Sequence, residues 1–260
     1  MGIHITTDRK ELSPTIFHDL IRIGNKSDGG YLVPKSALEG LEILVTFGIG
    51  SNWTFEDEIQ SLNPLLKIYG YDNTISVFYF LRKTLKGLIA TLVGRITKKD
   101  LMMRIWRLLK FIIFWKLNKF NKHHHSRITE KNAANIINDK TNNRRFGLKI
   151  DIEESEFVVL PEVISLISNC NFLIVEFHNI DKNNNEFRLI LEELSNFTLI
   201  SHTHCNNFDG LGMNNFPKTL EITFVNKKFS QNEMKRKVLP IKDLDFPNAR
   251  NRPDYSIEFQ

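Results

Sequence analysis

Leu44-Val45-Thr46-Phe47-Gly48-Ile49-Gly50-Ser51-Asn52 decides the fold: an apolar run breaks into a Gly-x-Gly turn. It reads as a strand feeding a turn whose glycines let backbone lie close to a bound group. Ile68-Tyr69-Gly70-Tyr71-Asp72 follows, a second short strand with an acid at its end. Asp72 stands 22 residues after Gly50. That is close to the ~20-residue offset at which an acid reaches a ribose hydroxyl of a nucleotide-like cofactor. Leu148-Lys149-Ile150-Asp151-Ile152-Glu153-Glu154-Ser155-Glu156 is a third apolar run, ending in carboxylates. In a parallel sheet Asp151 faces the same crevice as the glycine turn.

Outward from these stretches, strand-like segments recur at 43–47, 66–71, 146–152, 172–177, 197–203 and 219–225. Helix-like stretches lie between several of them, at 54–62, 156–168 and 185–195. The alternation predicts βαβ units and a mostly parallel α/β sheet flanked by helices. Before it, residues 8–40 read as a helical or irregular lead-in. They contain the turn Asp28-Gly29-Gly30 and a short strand-like Tyr31-Leu32-Val33 that Pro34 ends. After residue 228 the chain is polar, basic and proline-punctuated, and an extended surface segment is expected. At 260 residues the reading is a single domain, 1–260, with a helical insertion at about 75–145.

That insertion is apolar and basic together. Residues 81–145 hold 17 Lys and Arg against 3 Asp and Glu, while the rest holds 18 against 27. Charge is thus segregated by region, which speaks to partners rather than to fold. The most apolar part, residues 105–120, is punctuated by Arg107, Lys110, Lys116 and Lys119 and is too short and too charged to span a bilayer. Three roles fit it: a lid packed on the core, an amphipathic surface for an anionic membrane through residues 81–145, or a nucleic-acid contact. His123-His124-His125 has no carboxylate beside it and reads as a solvated loop. Cys170 and Cys205 form no Cys-x-x-Cys pair and are expected to be reduced. The start of the chain has no apolar signal region, so a cytoplasmic protein is expected, peripheral at the inner membrane face if the insertion binds lipid.

The chemistry gathers at the strand ends. Gly48 and Gly50, with Ser51 and Asn52, offer backbone N–H groups to a ligand. Trp53 stands where a third glycine would complete a pyrophosphate-binding fingerprint, which favours a cofactor without pyrophosphate. S-adenosylmethionine is such a cofactor: it needs a carboxylate-binding turn, an acid for the ribose and an apolar slot for adenine.

Four motifs give the chain a resemblance to the FkbM-type methyltransferases. They are Asp28-Gly29-Gly30-Tyr31, Phe47-Gly48-Ile49-Gly50-Ser51-Asn52, Leu148 to Glu156, and His202-Thr203-His204-Cys205-Asn206-Asn207 followed by Leu220-Glu221-Ile222-Thr223-Phe224. The family usually has Asp-Ile-Glu-Gly-Ser-Glu where this chain has Glu154 in place of the glycine. The resemblance covers residues 20–74 and 146–226 and leaves the insertion aside. It implies a Rossmann-like class I methyltransferase fold and transfer of a methyl group from S-adenosylmethionine to a hydroxyl of a sugar or glycan.

Within that frame Gly48, Gly50, Ser51, Asn52 and Asp72 are the expected cofactor contacts. Asp151, His178 and His204 are the expected catalytic residues, with Glu176 and Asn206 converging beside them. Two mechanisms stay open. A histidine or carboxylate takes the hydroxyl proton, or Asp151, Glu176 and His178 hold a Mg or Mn ion that lowers the hydroxyl pKa. Similar metal-dependent O-methyltransferases place an aspartate at this strand end. A cofactor-dead adaptor and an RNA methyltransferase are the alternatives. Asp72 and Asp151 weigh against the first, and the lack of an aromatic-flanked Asn-Pro-Pro-type motif weighs against the second.

Overall fold

A computed structural model describes residues 2–230 and 234–260. Strands Ile3–Thr7 (β1), Leu20–Gly24 (β2) and Gly30–Pro34 (β3) precede the buried Ile43–Phe47 (β4). Helix Thr54–Leu62 (α1) leads to Lys67–Tyr71 (β5), and helices Val77–Leu92 (α2) and Lys98–Ile112 (α3) follow. The chain continues through Asn121–His124 (β6), Ala133–Thr141 (α4), Phe146–Ile150 (β7), Glu156–Val163 (α5) and Cys170–Phe177 (β8). Asn184–Leu194 (α6), Thr198–Cys205 (β9), Leu220–Asn226 (β10), Val238–Leu239 (β11) and Tyr255–Phe259 (β12) complete it.

Seven strands form the central sheet in the order β6-β5-β4-β7-β8-β10-β9. Only β10 runs against its neighbours; the other pairings are parallel. Successive side chains of β4 enter opposite cores: Ile43, Val45 and Phe47 join one apolar cluster and Leu44 the other. A strand covered on both faces needs apolar residues at every position, which is why β4 reads as an unbroken run. This is an α/β arrangement, a mostly parallel sheet flanked by helices, as the alternation of strand-like and helix-like segments predicts.

Register fixes the site. Phe47 pairs with Tyr71 on one side and with Ile150 on the other. The residues that follow, Gly48, Asp72 and Asp151, therefore leave the sheet at one level. The strand order also reverses at β4, with β5 to one side and β7 to the other. That is the crevice in which open α/β sheets hold ligands.

The stretch at 75–145 is not helical throughout. Helices α2 and α3 end in a π-helical turn at Ile113–Leu117, and Asn121–His124 then pairs with β5 as the sheet's edge strand. The His-rich run is thus a strand rather than a solvated loop. His123 is buried edge-on to Phe111 at 5.3 Å, and His124 stacks on Tyr71 at 4.5 Å. Burial holds His123 down, at about 4, so a neutral ring fills an apolar position. The tail is not a surface segment either. β12 pairs with β1 and β11, and Leu239, Ile257 and Phe259 are buried.

Candidate functional site

The glycine turn is built by close approach. Gly48 has φ +78°, and a Cβ there would lie 1.6 Å from the Asp151 carbonyl oxygen. Only glycine lets β4 and β7 converge in this way. Gly50 has φ +59°, but its Cβ direction is open, with nothing within 4 Å. Asp72 is buried beside this turn. Its Oδ2 accepts the N–H groups of Ile49 at 2.9 Å and Gly50 at 2.8 Å. Its Oδ1 accepts Thr74 N and Thr74 Oγ1, both at 2.6 Å. Burial opposes the charge, yet these four bonds hold the carboxyl below its ordinary range. Asn52 Nδ2 donates to Asp28 O at 2.9 Å, tying the turn to the Asp28-Gly29 loop.

Across the crevice the acids are held by a buried lysine. Lys149 Nζ donates to Gly48 O at 3.1 Å and to Asp151 Oδ2 at 3.2 Å. Burial works against this ammonium, but Asp151 and Glu56 outweigh it and keep the lysine charged. Lys149 thus fixes the ends of β4 and β7 together and aims Asp151.

His178, just past β8, is gripped from behind. Its Nδ1 lies 2.9 Å from Oε1 of Glu156, a fully buried acid at the start of α5. An ionised carboxylate can only accept, so Nδ1 carries a proton and Nε2 is turned toward Glu176 at 3.6 Å and Glu153 at 3.7 Å. Burial alone would lower this imidazole; the hydrogen bond and the surrounding acids raise it to about 9. Glu176 accepts Asn206 Nδ2 at 2.8 Å, and burial together with Asp151 pushes its carboxyl well above the usual range.

The two halves line one cavity of about 700 Å³. Gly48, Gly50, Ser51, Asn52 and Asp72 form one side, and Asp151, Glu153, Glu176, His178 and Asn206 the other. Asp28 and Asp209 also line it, and among the described residues its only lysine or arginine side chains are Lys149 and Arg127. Such a field repels anionic ligands and accepts neutral or cationic ones. Asp151, Glu153 and His178 each offer a ligand atom, all within 4.8 Å of one another. Two carboxylates and an imidazole fit a divalent cation such as Mg or Mn. The cluster has Glu153 where Glu176 was expected, and Glu176 stands 3.6 Å from the imidazole.

His204 does not join the cavity. The expectation placed the ends of two parallel strands side by side, but β10 lies between β8 and β9. His204 instead bonds Asn248 at 2.8 Å and lies 3.4 Å from Asp245, both from the tail. His202 bonds the same Asp245 at 3.0 Å. Among the residues that shape the site, Lys149, Glu153 and Glu156 stood in the quoted sequence without a role. The inward-facing position of Lys149 in an otherwise apolar strand was the available signal.

No protein-family model and no curated protein matches the chain. Solved structures are similar in outline only. The fibrillarin/Nop5p complex matches at 9% identity over 72% of this chain and 74% of that one, with TM-score 0.37. Precorrin-6y C5,15-methyltransferase from Geobacter metallireducens matches at 12% identity over 73% and 83%, with TM-score 0.38. Spermidine synthase from Thermotoga maritima matches at 12% identity over 80% and 58%, with TM-score 0.40.

Proposed function

We propose that the chain is an S-adenosylmethionine-dependent O-methyltransferase acting on a sugar hydroxyl of a surface glycan or its precursor. One observation carries this reading. A single cavity joins a glycine turn and Asp72 on one side to Asp151, Glu153 and His178 on the other.

The residues fit the cofactor. Gly50 leaves open space beside the turn, and Ile49, Tyr71 and Ile128 add apolar wall. S-adenosylmethionine, when bound, supplies an electrophilic sulfonium methyl. The chain's own work is then positioning and proton management. The carboxylate lining disfavours a phosphorylated or carboxylated acceptor and suits a neutral hydroxyl.

Proton removal falls to the Asp151 side. His178, raised to about 9, is protonated at neutral pH and cannot accept a proton in that state. Asp151 is aimed into the cavity by Lys149 and has the correct charge to orient a hydroxyl. A divalent cation held by Asp151, Glu153 and His178 would have to displace the Nε2 proton of the imidazolium, leaving the neutral ring as ligand, and would then lower the hydroxyl pKa. In that case Glu156 has the role of the acid that fixes the tautomer and angle of the ligating ring.

A second reading, a cofactor-free adaptor, rests on Asp72. Two donors already sit on each of its carboxylate oxygens, so the acid is satisfied as a brace of the turn. Calorimetry with S-adenosylhomocysteine, with and without Mg²⁺ or Mn²⁺, separates the two. Saturable binding supports the methyltransferase; its absence under both conditions leaves the adaptor.

A further inference from the structure

The α2–α3 hairpin buries very little of itself. Helix α2 has 16 residues and α3 has 15, yet the fully buried positions are Phe80 and Gly87 in one and Phe111 in the other. These residues root the hairpin. Phe80 and Phe111 sit 4.9 Å apart and both meet the buried Trp53. At Gly87 the helices touch, and a Cβ there would lie 2.7 Å from the Arg104 side chain. Most of the remaining apolar surface faces outward. Thirteen of the twenty-two exposed large apolar side chains among the described residues lie between Phe78 and Leu117. Phe78, Ile89, Leu92, Met102 and Trp106 are among them, each more than half exposed.

Cations surround this surface. Residues 77–122 carry 12 Lys and Arg and one acid, Asp100, while the chain outside 81–145 is net acidic. Asp100 closes the capping box of α3 with Thr97. An apolar face this large, rimmed by one sign of charge, marks an interaction site. A packed lid would have its apolar residues turned inward.

We propose that the α2–α3 hairpin docks on an anionic phospholipid surface, with its aliphatic side chains in the headgroup boundary and its Lys and Arg side chains on lipid phosphates. Three observations select this occupant. The exposed residues are mainly Leu, Ile, Val and Met, which suit acyl chains; Phe78 and Trp106 are the aromatic exceptions, too few for a base-stacking platform. A second copy would bring the same cationic face against this one, and like charges repel. No helix among the described residues is long and apolar enough to cross a membrane, so the hairpin lies on the surface. The segregated charge further orients the approaching protein hairpin-first.

Tryptophan fluorescence tests the proposal directly. Trp106 is 59% exposed, whereas Trp53 and Trp115 are 4% and 1%. Vesicles containing phosphatidylglycerol should blue-shift the emission, and acyl-brominated lipid should quench it. Trp106→Phe should abolish both signals while retaining flotation with the vesicles. Affinity for these vesicles should exceed that for phosphatidylcholine alone by at least about tenfold and fall steeply with salt. Leu88→Glu combined with Ile89→Glu should abolish flotation with unchanged circular dichroism. Equal binding to both vesicle types, or none to anionic vesicles at low salt, would overturn the proposal. So would self-association that the double variant removes, or nucleic-acid binding without vesicle binding. Each readout is independent of methyl transfer.

Discussion

Glu156 Oε1 and His178 Nδ1 lie 2.9 Å apart in the protein interior, and this contact governs how the imidazole at the cavity titrates. Burial would lower His178, but the Glu156 bond and neighbouring acids raise it to about 9 from 6.5. The folded state therefore holds the proton more tightly than the unfolded chain. His178 contributes fully to stability below about pH 6.5, and the contribution is lost as pH rises through about 9. His204, also raised to about 9, adds in the same direction. Melting temperature should fall between pH 6.5 and 9. Glu156→Gln should return His178 toward 6.5 by NMR titration, flatten part of that fall, and cost about 1–3 kcal/mol. A variant histidine still titrating near 9 would contradict the assignment.

The glycine turn predicts two opposite outcomes. Gly48→Ala places a methyl group against the Asp151 carbonyl, so it should cost about 3 kcal/mol or more, read as loss of folded protein in denaturant titration. Gly50→Ala meets no atom and carries only the left-handed strain, about 1–2 kcal/mol. That variant should fold and yet lose S-adenosylhomocysteine affinity if the cofactor lies against the turn, because Gly50 lines the cavity. Full affinity in folded Gly50→Ala would place the cofactor elsewhere.

Asp72 tests what the sequence spacing implies. Asp72→Ala removes two bonds to the turn and two to Thr74, so S-adenosylhomocysteine affinity should fall at least about tenfold by calorimetry. Thr74→Val separates the two roles of the carboxylate. If a ribose hydroxyl takes the place of the Thr74 hydroxyl on Oδ1, removing that one donor while the backbone N–H bond stays should leave affinity intact or improve it. A loss as large as that of Asp72→Ala would make Asp72 purely a brace of the turn.

The central strands were legible because burial on both faces leaves a run such as Ile43–Phe47 with no polar position. Gly48, Asp72 and Asp151 were legible for a related reason: sheet register brings strand ends level whatever the connections are. Residues defined by a distant partner were not. Glu156 resembles an ordinary first-turn acid until α5 packs it against His178. Asp245 and Asn248 lie in a polar tail and gain meaning only where that tail folds over His202 and His204. His204 was misplaced because strand order cannot be read from strand sequence, and β10 separates its strand from that of His178. The edge strand β6 escaped notice because three histidines mask a pattern whose first and third residues, Asn121 and His123, face inward.

Glu154 occupies a left-handed position, φ 70°, directly after Glu153 at φ 49°. The turn that a glycine would form easily is thus made by two glutamates. Glu154→Gly should relieve about 1–2 kcal/mol of strain and lose about 0.5–1 kcal/mol to the freer unfolded chain. The expected net gain is between about 0 and 1.5 kcal/mol in urea denaturation. Glu153→Gly should gain a similar amount but weaken any cation site, because it removes a carboxylate from the cluster. A destabilised Glu154→Gly would show that its contact with Asn179 outweighs the backbone strain.

Asp151→Asn addresses catalysis itself. The carboxylate lies at the meeting point of Lys149 Nζ, the cation cluster and the cavity. Replacing it by an amide preserves shape but removes the charge that orients or deprotonates an acceptor hydroxyl. Turnover on a sugar acceptor should drop by about 10²-fold or more, while S-adenosylhomocysteine affinity stays within a few-fold, because the loss falls on the acceptor side. Lys149 then faces one acid fewer, so the melting temperature should change as well, and activity must be compared at equal folded fraction. Chelation divides the two mechanisms. If Asp151, Glu153 and His178 hold a cation, EDTA should abolish turnover, Mg²⁺ or Mn²⁺ should restore it, and the Asp151→Asn and His178→Ala variants should need more metal for the same rate. Full turnover in EDTA would leave Asp151 as a metal-free base, and its pH profile would then follow one ionisation rather than the metal concentration.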